Sequence, residues 1–217
     1  TLYGLAVDPR HADAVARLYA AKGRGAQSAI PLIAASLEQA QNAAMLDQRA
    51  VRLARAFWPG PLTIVVPARG GLAAAVLGGG TTVAVRVPAH AVARALAAAL
   101  GYCITATSAN RSGESPAATG VDVAAAFATA SDVDLLLDAG AMAGGPPSTI
   151  VEIGQGSPRL VRAGAVPWDR VLESLESCAH RLASAPKSSV EARQSPTRRR
   201  LNARLPQTGT NVPRSSD

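Results

Sequence analysis

Short apolar segments alternate with segments of helical periodicity along most of this chain, and this alternation is the strongest constraint on its fold. Between His11 and Lys22 apolar residues recur at helical spacing until Gly23 ends the pattern. Leu62–Val66 is a continuous apolar run typical of a buried strand. Because strands and helices take turns, we expect a three-layer α/β domain.

The pattern divides the chain into predicted elements bounded by Gly and Pro. The predicted strands are Leu2–Val7, Pro31–Ala35, Leu62–Val66, Thr82–Val87, Tyr102–Ala106, Leu135–Leu137, Ser148–Ile153 and Leu160–Arg162. The predicted helices are His11–Lys22, a helix starting at Ser36, Ala43–Phe57, Ala89–Leu100, Val121–Ala130 and Trp168–Leu182. Ala68–Gly80 and Gly140–Pro147 are predicted as loops, since both are rich in Gly or Pro.

Charge divides the chain into a nearly neutral body and a basic end. The net charge is +7, yet residues 185–217 alone contain seven Lys or Arg and only two acidic residues. This end has no hydrophobic period, so we predict a domain over residues 1–183 and a disordered basic tail over residues 184–217. A tail of this kind could bind RNA weakly or could serve only to keep the chain soluble.

Several function classes have no signature in the sequence. The two cysteines form no C-x-x-C motif, which fits a reducing, cytoplasmic location and argues against a zinc site. No apolar run approaches the roughly 18 residues of a membrane span, and there is no P-loop, G-x-S-x-G or H-E-x-x-H motif. Aromatic residues are 3% of the chain, too few for a base-stacking RNA platform.

A polar turn follows the apolar strand at Tyr102–Ala106. Thr107–Gly113 combines hydroxyls, an amide and a guanidinium, so many hydrogen-bond donors lie near one point. Such a turn suits an anion or a nucleotide phosphate. The residues alone are equally consistent with an ordinary junction between a strand and a loop.

Three cations inside the domain are candidate anion ligands. Lys22 ends a helix two residues before Arg24, where the helix dipole alone favours a cation, although the pair could also clamp a phosphate. Arg86 ends an apolar strand, where its burial is costly unless it reaches solvent or meets an anion such as a carboxylate. A site of Thr, Ser, Lys and Arg without a histidine base suits charge stabilisation on phosphoryl groups.

Seven segments in order resemble a known family. They are Thr1-Leu2-Tyr3-Gly4-Leu5, Ala21-Lys22-Gly23-Arg24, Phe57-Trp58-Pro59-Gly60-Pro61-Leu62-Thr63, Val83-Ala84-Val85-Arg86-Val87-Pro88, Thr107-Ser108-Ala109-Asn110-Arg111-Ser112-Gly113, Ser148-Thr149-Ile150-Val151 and Val161-Arg162-Ala163-Gly164-Ala165. Together they resemble the threonylcarbamoyl-AMP synthase family, the YrdC-like domain. The resemblance implies a three-layer domain, α+β in the strict sense, with a twisted, mixed sheet flanked by helices.

The resemblance also implies a reaction. L-threonine, bicarbonate and ATP, with Mg²⁺, would give threonylcarbamoyl-AMP and pyrophosphate. The product would serve tRNA N6-threonylcarbamoyladenosine (t6A37) modification through a downstream threonylcarbamoyl transferase complex. No membrane partner is implied.

The resemblance further implies roles for individual residues. Thr1, Arg86, Ala106 and Thr149 would bind threonine, with Arg86 on its carboxylate, and Lys22 and Arg24 would be catalytic. The ATP side would be lined by Lys22, Arg24, Ser28, Thr82, Ser108, Asn110, Ser115 and Arg162, with Asn110 supporting the turn. Ser28 stands where the family usually has Lys or Asn, Ser115 aligns only after a one-residue gap, and the first strand of the family pattern is missing before Thr1.

Two other functions are compatible with the same resemblance. A YrdC-like module could bind RNA through its basic residues without catalysis, in which case its affinity would fall steeply with salt. A carbamoyl-transfer domain of the hydrogenase-maturation type is the third reading, although such domains normally belong to longer chains with zinc and acylphosphatase-like segments.

Overall fold

The fold is given by a computed structural model that describes residues 2–23, 25, 27–128 and 133–176. Its helices are α1 (Ala12–Lys22), α2 (Leu37–Ala43), α3 (Gln48–Phe57), α4 (Ala91–Leu100), α5 (Gly120–Ala126) and α6 (Trp168–Glu176). Its strands are β1 (Gly4–Leu5), β2 (Leu32–Ile33), β3 (Leu62–Pro67), β4 (Thr82–Arg86), β5 (Ile104–Thr105), β6 (Thr107–Ser108), β7 (Thr149–Glu152) and β8 (Arg159–Arg162). No helix in this part of the chain is both long enough and apolar enough to cross a membrane.

Six strands form one mixed sheet in the order β5-β2-β4-β3-β7-β8. The pairs β2–β4 and β3–β7 are parallel, whereas β2–β5, β3–β4 and β7–β8 are antiparallel. The two remaining strands, β1 and β6, pair with each other in a small antiparallel sheet. The predicted α/β fold with a mixed sheet is therefore confirmed.

One face of the large sheet carries the main hydrophobic core. Leu32, Ile64, Val85 and Val151 alternate along their strands onto this face and are almost completely buried. Helix α3 packs against β3 and α6, and the same core takes in Ala50, Leu53 and Ala54 of α3 and Val171 of α6. The neighbouring residues of each strand consequently point to the opposite face.

The predicted helix Ala43–Phe57 begins later in the structure, because α2 ends at Ala43 and α3 begins only at Gln48. The chain leaves the helical path after Ala43, because Ala44 forms a β-bridge with Ala68 and Met45 N donates to the carbonyl of Pro67 at 2.8 Å. A new helix then starts where the Asp47 carboxylate accepts a hydrogen bond from Ala50 N at 2.8 Å. The prediction was wrong because the apolar period runs through a segment that a long-range backbone contact keeps extended.

Three further predicted elements are different in the structure. Leu135–Leu137 forms no strand, and all three side chains are exposed to solvent. The predicted strand Tyr102–Ala106 divides at Ala106, whose N–H donates to Pro31 O at 2.7 Å, so that β6 can leave the large sheet and pair with β1. The predicted loop Ala68–Gly80 contains a short 3₁₀ helix, Ala74–Leu77.

Some predictions fall on residues that the structure does not describe. Helix α5 ends at Ala126, earlier than predicted, while residues 129 and 130 lie outside the described ranges. The last part of the predicted helix Trp168–Leu182, the domain boundary at residues 183 and 184, and the basic tail also lie outside them.

Candidate active site

A row of residues crosses the face of the large sheet opposite the main core. The ladder pairs Ile33 with Arg86, Thr63 with Ile150, and Ile150 with Arg162. Since Ile64 pairs with Val85, the preceding residue Thr63 stands opposite Arg86. The polar members of this row are Arg86, Thr63 and Arg162, on β4, β3 and β8.

A β-bulge determines which residue of β8 joins the row. Val151 pairs with Leu160, but Ile150 pairs with Arg162, so the register skips Val161. Without the bulge Ile150 would face Val161, and the guanidinium would point to the other face of the sheet. The bulge therefore brings a second cation onto the face that holds Arg86.

Arg86 is a partly buried cation without a counter-ion. Its guanidinium has no hydrogen bond or ion pair within the part of the chain that the structure describes. Burial, and secondarily the positive charge of Arg162, lower the pKa of Arg86. Two guanidinium groups that repel each other on one open face form a natural binding site for an anion.

Arg162 is held in place by Ser148, the residue before β7. Its Nη2 donates to the Ser148 carbonyl at 2.8 Å and to Ser148 Oγ at 3.0 Å, and its Nε donates to the same carbonyl at 3.1 Å. Ser148 Oγ lies 2.9 Å from Thr63 Oγ1. A continuous hydrogen-bonded chain thus runs from β3 through Ser148 to Arg162.

The hydroxyl of Thr149 forms its hydrogen bonds within the protein interior. Thr149 is completely buried, and its Oγ1 donates to the Val166 carbonyl at 2.7 Å and accepts from Val166 N at 2.9 Å. Its side chain therefore points away from the row, and Ser148 is the member of the pair whose hydroxyl lies beside Arg162. Sequence reasoning missed Ser148 and Thr63 as site residues, although both stand in the quoted motifs.

Lys22 is buried against the polar turn. Its Nζ donates to the carbonyl of Ser108 at 2.7 Å and to the carbonyl and Oδ1 of Asn110 at 3.0 and 3.4 Å, while its own carbonyl accepts from Ser112 N at 2.9 Å. The Asn110 amide donates to the carbonyls of Arg111 and Glu114, both at 2.8 Å. Lys22 and Asn110 consequently fix the course of the turn by contacts to its backbone.

The turn starts close to the row. Strand β5 is separated from β4 by β2 alone, which places the chain at Ala106 roughly 10 Å from the strand that carries Arg86. Ala106 and Ser108 are both partly exposed. The turn and the row can therefore contact the two ends of one ligand.

The other predicted site residues are more dispersed. Thr82 lies four residues before Arg86 on the same strand face, a separation of about 13 Å. Ser28 is partly buried and its carbonyl accepts the Tyr19 hydroxyl at 2.7 Å, whereas Ser115 is exposed. Thr1 and Arg24 lie outside the described residues, so their predicted roles stay predictions.

The donor set of this face is basic and hydroxylic. It consists of the guanidinium groups of Arg86 and Arg162 and the hydroxyl of Ser148, which Thr63 contacts from the sheet, and the described residues contain no group of three His, Cys, Asp or Glu that could hold a metal ion. The arrangement can bind anionic oxygens and offset their mutual repulsion, and it provides no obvious proton-transfer base.

Comparison with known proteins identifies similar chains. Residues 1–164 match the sequence profile of the Sua5/YciO/YrdC family, described as "Telomere recombination". The threonylcarbamoyl-AMP synthase of Halorhodospira halophila is 46% identical over 132 residues, which are 60% of this chain and 69% of the relative. The threonylcarbamoyl-AMP synthase of Pyrococcus abyssi is 36% identical over 172 residues, 79% of this chain and 50% of the relative.

A solved structure extends this similarity to three dimensions. The crystal structure of P. abyssi Sua5 complexed with L-threonine is 35% identical and superposes with a TM-score of 0.74, covering 81% of this chain and 51% of that protein. The chain therefore spans about half the length of the P. abyssi relative.

Proposed function

This chain belongs to the Sua5/YciO/YrdC family, and from that premise we propose that it is an L-threonylcarbamoyladenylate synthase. It is a transferase of the nucleotidyltransferase class that joins L-threonine, bicarbonate and the adenylyl group of ATP. Pyrophosphate is released, and the product serves the t6A modification of tRNA. The names of the curated relatives and the threonine bound to P. abyssi Sua5 support this assignment.

The observation that carries the proposal is the uncompensated pair of guanidinium groups. Arg86 has no acidic partner among the described residues and lies on the same face as Arg162. The threonine carboxylate binds Arg86, which can hold both carboxylate oxygens in its planar fork. Arg162, whose charge acts on Arg86, is a cation for the phosphate side of the ligand.

The chemistry requires two anions to approach each other. The threonine amine combines with bicarbonate to give a carbamate and water, and a carbamate oxygen then attacks the α-phosphorus while pyrophosphate leaves. Arg86 and Arg162 reduce the electrostatic repulsion in this step, and fixation of both substrates on one rigid sheet removes much of its entropic cost. Ser108 and the turn held by Lys22 and Asn110 bind the nucleotide end.

Mg²⁺ belongs to this proposal as the partner of ATP. None of Arg86, Arg162, Thr63 and Ser148 has a carboxylate, and the described residues contain no group of three His, Cys, Asp or Glu, so these residues do not fit a cation held by the protein itself. The phosphates of ATP would therefore hold the Mg²⁺ ion.

The cellular setting follows from the product. A threonylcarbamoyl transferase complex would consume threonylcarbamoyl-AMP in the cytoplasm, where tRNA is modified. Weak RNA binding through the basic residues 184–217 is the alternative non-catalytic function, and those residues lie outside the described part of the chain. Its distinguishing property would be an RNA affinity that falls steeply with salt and depends on the tail.

The decisive experiment is a pyrophosphate-release assay on the 217-residue chain. We expect release only when L-threonine, bicarbonate, Mg²⁺ and ATP are all present, with threonylcarbamoyl-AMP detected by mass spectrometry. Serine and valine are matched controls, because serine lacks the methyl group and valine lacks the hydroxyl. Equal turnover with all three amino acids, or release without bicarbonate, would contradict the proposal.

A further inference from the structure

Thr63 is a buried polar residue for which the reaction described above has no direct use. It lies in the centre of the sheet on β3 and is 4% exposed. Within the described part of the chain its hydroxyl has a single hydrogen-bond partner, Ser148 Oγ at 2.9 Å. Val or Ile would pack equally well at this position of a strand, so packing alone does not explain the presence of a hydroxyl.

The direction of the hydrogen bond between the two hydroxyls follows from what each can do. A buried hydroxyl proton without an acceptor is costly, and Ser148 Oγ is the only acceptor that the described residues offer to Thr63. Thr63 therefore donates to Ser148. Arg162 Nη2 also donates to Ser148 Oγ, at 3.0 Å.

These two donors occupy both acceptor positions of Ser148. A serine hydroxyl has two lone pairs and one proton, and with both lone pairs filled its own proton must be donated elsewhere. Ser148 is only partly buried and stands beside Arg162, on the face that also holds Arg86. The free proton is thus available to an anion that binds between the two arginines.

We propose that Thr63 is a positioning residue that turns the Ser148 hydroxyl into an obligate donor to the bound anion. The ligand class is an anionic oxygen, from the threonine carboxylate or from an ATP phosphate. The inference rests on the proposed function only for the names of these two ligands, since the hydrogen-bond geometry is independent of it. Thr63 itself does not contact the ligand.

The test compares Thr63→Val with Thr63→Ser in the full chain. Valine keeps the shape of the side chain but removes its hydroxyl. Ser148 Oγ then accepts no hydrogen bond from residue 63, and the Ser148 hydroxyl loses its fixed orientation. We expect about tenfold weaker binding of the ligand whose anion Ser148 contacts, as for one lost hydrogen bond to a charged group. Serine at residue 63 keeps the donor and should restore binding to within about twofold of the unsubstituted chain.

Calorimetric titrations with L-threonine alone and with MgATP alone separate the two sources of the anion. If Thr63→Val weakens only threonine binding, the contact is to the carboxylate, and if it weakens only ATP binding, the contact is to a phosphate. Either result supports the proposal. Unchanged affinity for both ligands, or no recovery in Thr63→Ser, would overturn it.

A double-mutant cycle tests whether Thr63 acts through Ser148. Ser148→Ala should weaken the same ligand, and adding Thr63→Val to it should cause no further loss, because the two residues then form one unit. Additive losses would show that Thr63 acts by another route and would overturn the proposal. If the unsubstituted chain binds neither ligand, both this inference and the proposed function fail. If the unsubstituted chain binds its ligands and Thr63→Val binds them with the same affinity, the inference alone is overturned.

Discussion

Arg86 is a residue whose burial disfavours its own charge, and the proposed function supplies the anion that it would bind. Its pKa is lowered by burial and by Arg162, which means that the charged form is disfavoured in the folded protein. Replacing Arg86 by Met, which has similar length and no charge, removes the cost of burying a charge at this position. If Arg86 binds the threonine carboxylate as proposed, its substitution should affect stability and binding in opposite directions.

We predict that Arg86→Met leaves the melting temperature unchanged or raises it, while L-threonine binds at least about tenfold more weakly. Differential scanning calorimetry and calorimetric titration measure the two effects on the same preparation. Arg55→Met is the matched control, since Arg55 is exposed on α3 and lies away from the row. A lower melting temperature in Arg86→Met with unchanged threonine affinity would assign Arg86 a structural role.

The sequence predicted Arg86 and Arg162 correctly as cations at the ends of strands but named Thr149, and not Ser148, as the hydroxyl of the site. Both have a hydroxyl, and they are adjacent, so only the strand's alternation decides which one lies on the ligand face. The structure turns Thr149 inward to Val166 and leaves Ser148 beside Arg162. That choice depends on the position of residues 162–166, which no local pattern specifies.

At the scale of elements, the segment after β8 lies directly on the start of β7. A Cβ atom added to Gly164 would stand 2.3 Å from the Pro147 carbonyl oxygen and 2.6 Å from Thr149 N. Ala165 N also donates to the Pro147 carbonyl, at 2.9 Å. Gly164 is therefore required by the close approach of two backbones, and this approach sets the distance between Arg162 and Ser148.

We predict that Gly164→Ala separates these two segments, lowers the melting temperature by several degrees and weakens the binding of both threonine and ATP. Gly154→Ala is the matched control, because a Cβ atom at Gly154 would meet nothing within 4 Å. Thermal unfolding and calorimetric titration of the two variants provide the comparison. If both substitutions had the same small effect, the close packing at Gly164 would not be needed for the site.

Elements with a strong local pattern were predictable, and those shaped by distant contacts were not. Helix α1 agrees with the predicted His11–Lys22 to within one residue, because its apolar period and Gly23 are local signals. The break between α2 and α3 and the bulge that skips Val161 depend on partners elsewhere in the chain. The bulge matters most for the site, since it brings Arg162 to the correct face.

At the scale of the whole molecule, Lys22 joins two hydrophobic clusters. Helix α1 packs into the main core through Val15, Leu18 and Tyr19, while the neighbouring Ala21 belongs to a second cluster that includes Ala109 and Phe127. The Lys22 ammonium bonds to the turn of residues 108–110 from inside this junction. The lysine that the sequence presented as a phosphate ligand therefore also supports the turn that would bind the nucleotide.

We predict that Lys22→Met lowers the free energy of unfolding by about 1–3 kcal/mol, because the buried carbonyls of Ser108 and Asn110 lose a charged donor. ATP binding should weaken as well, since the turn loses its fixed course, whereas threonine binding at Arg86 should change much less. Urea unfolding and separate titrations with MgATP and L-threonine measure the three quantities. Ala16→Met places the same side chain on an exposed position of α1 and should stay within about 0.5 kcal/mol of the unsubstituted chain. If Lys22→Met lowered the affinities for MgATP and L-threonine equally, the turn and the arginine row would respond as one unit rather than as two ends of the site.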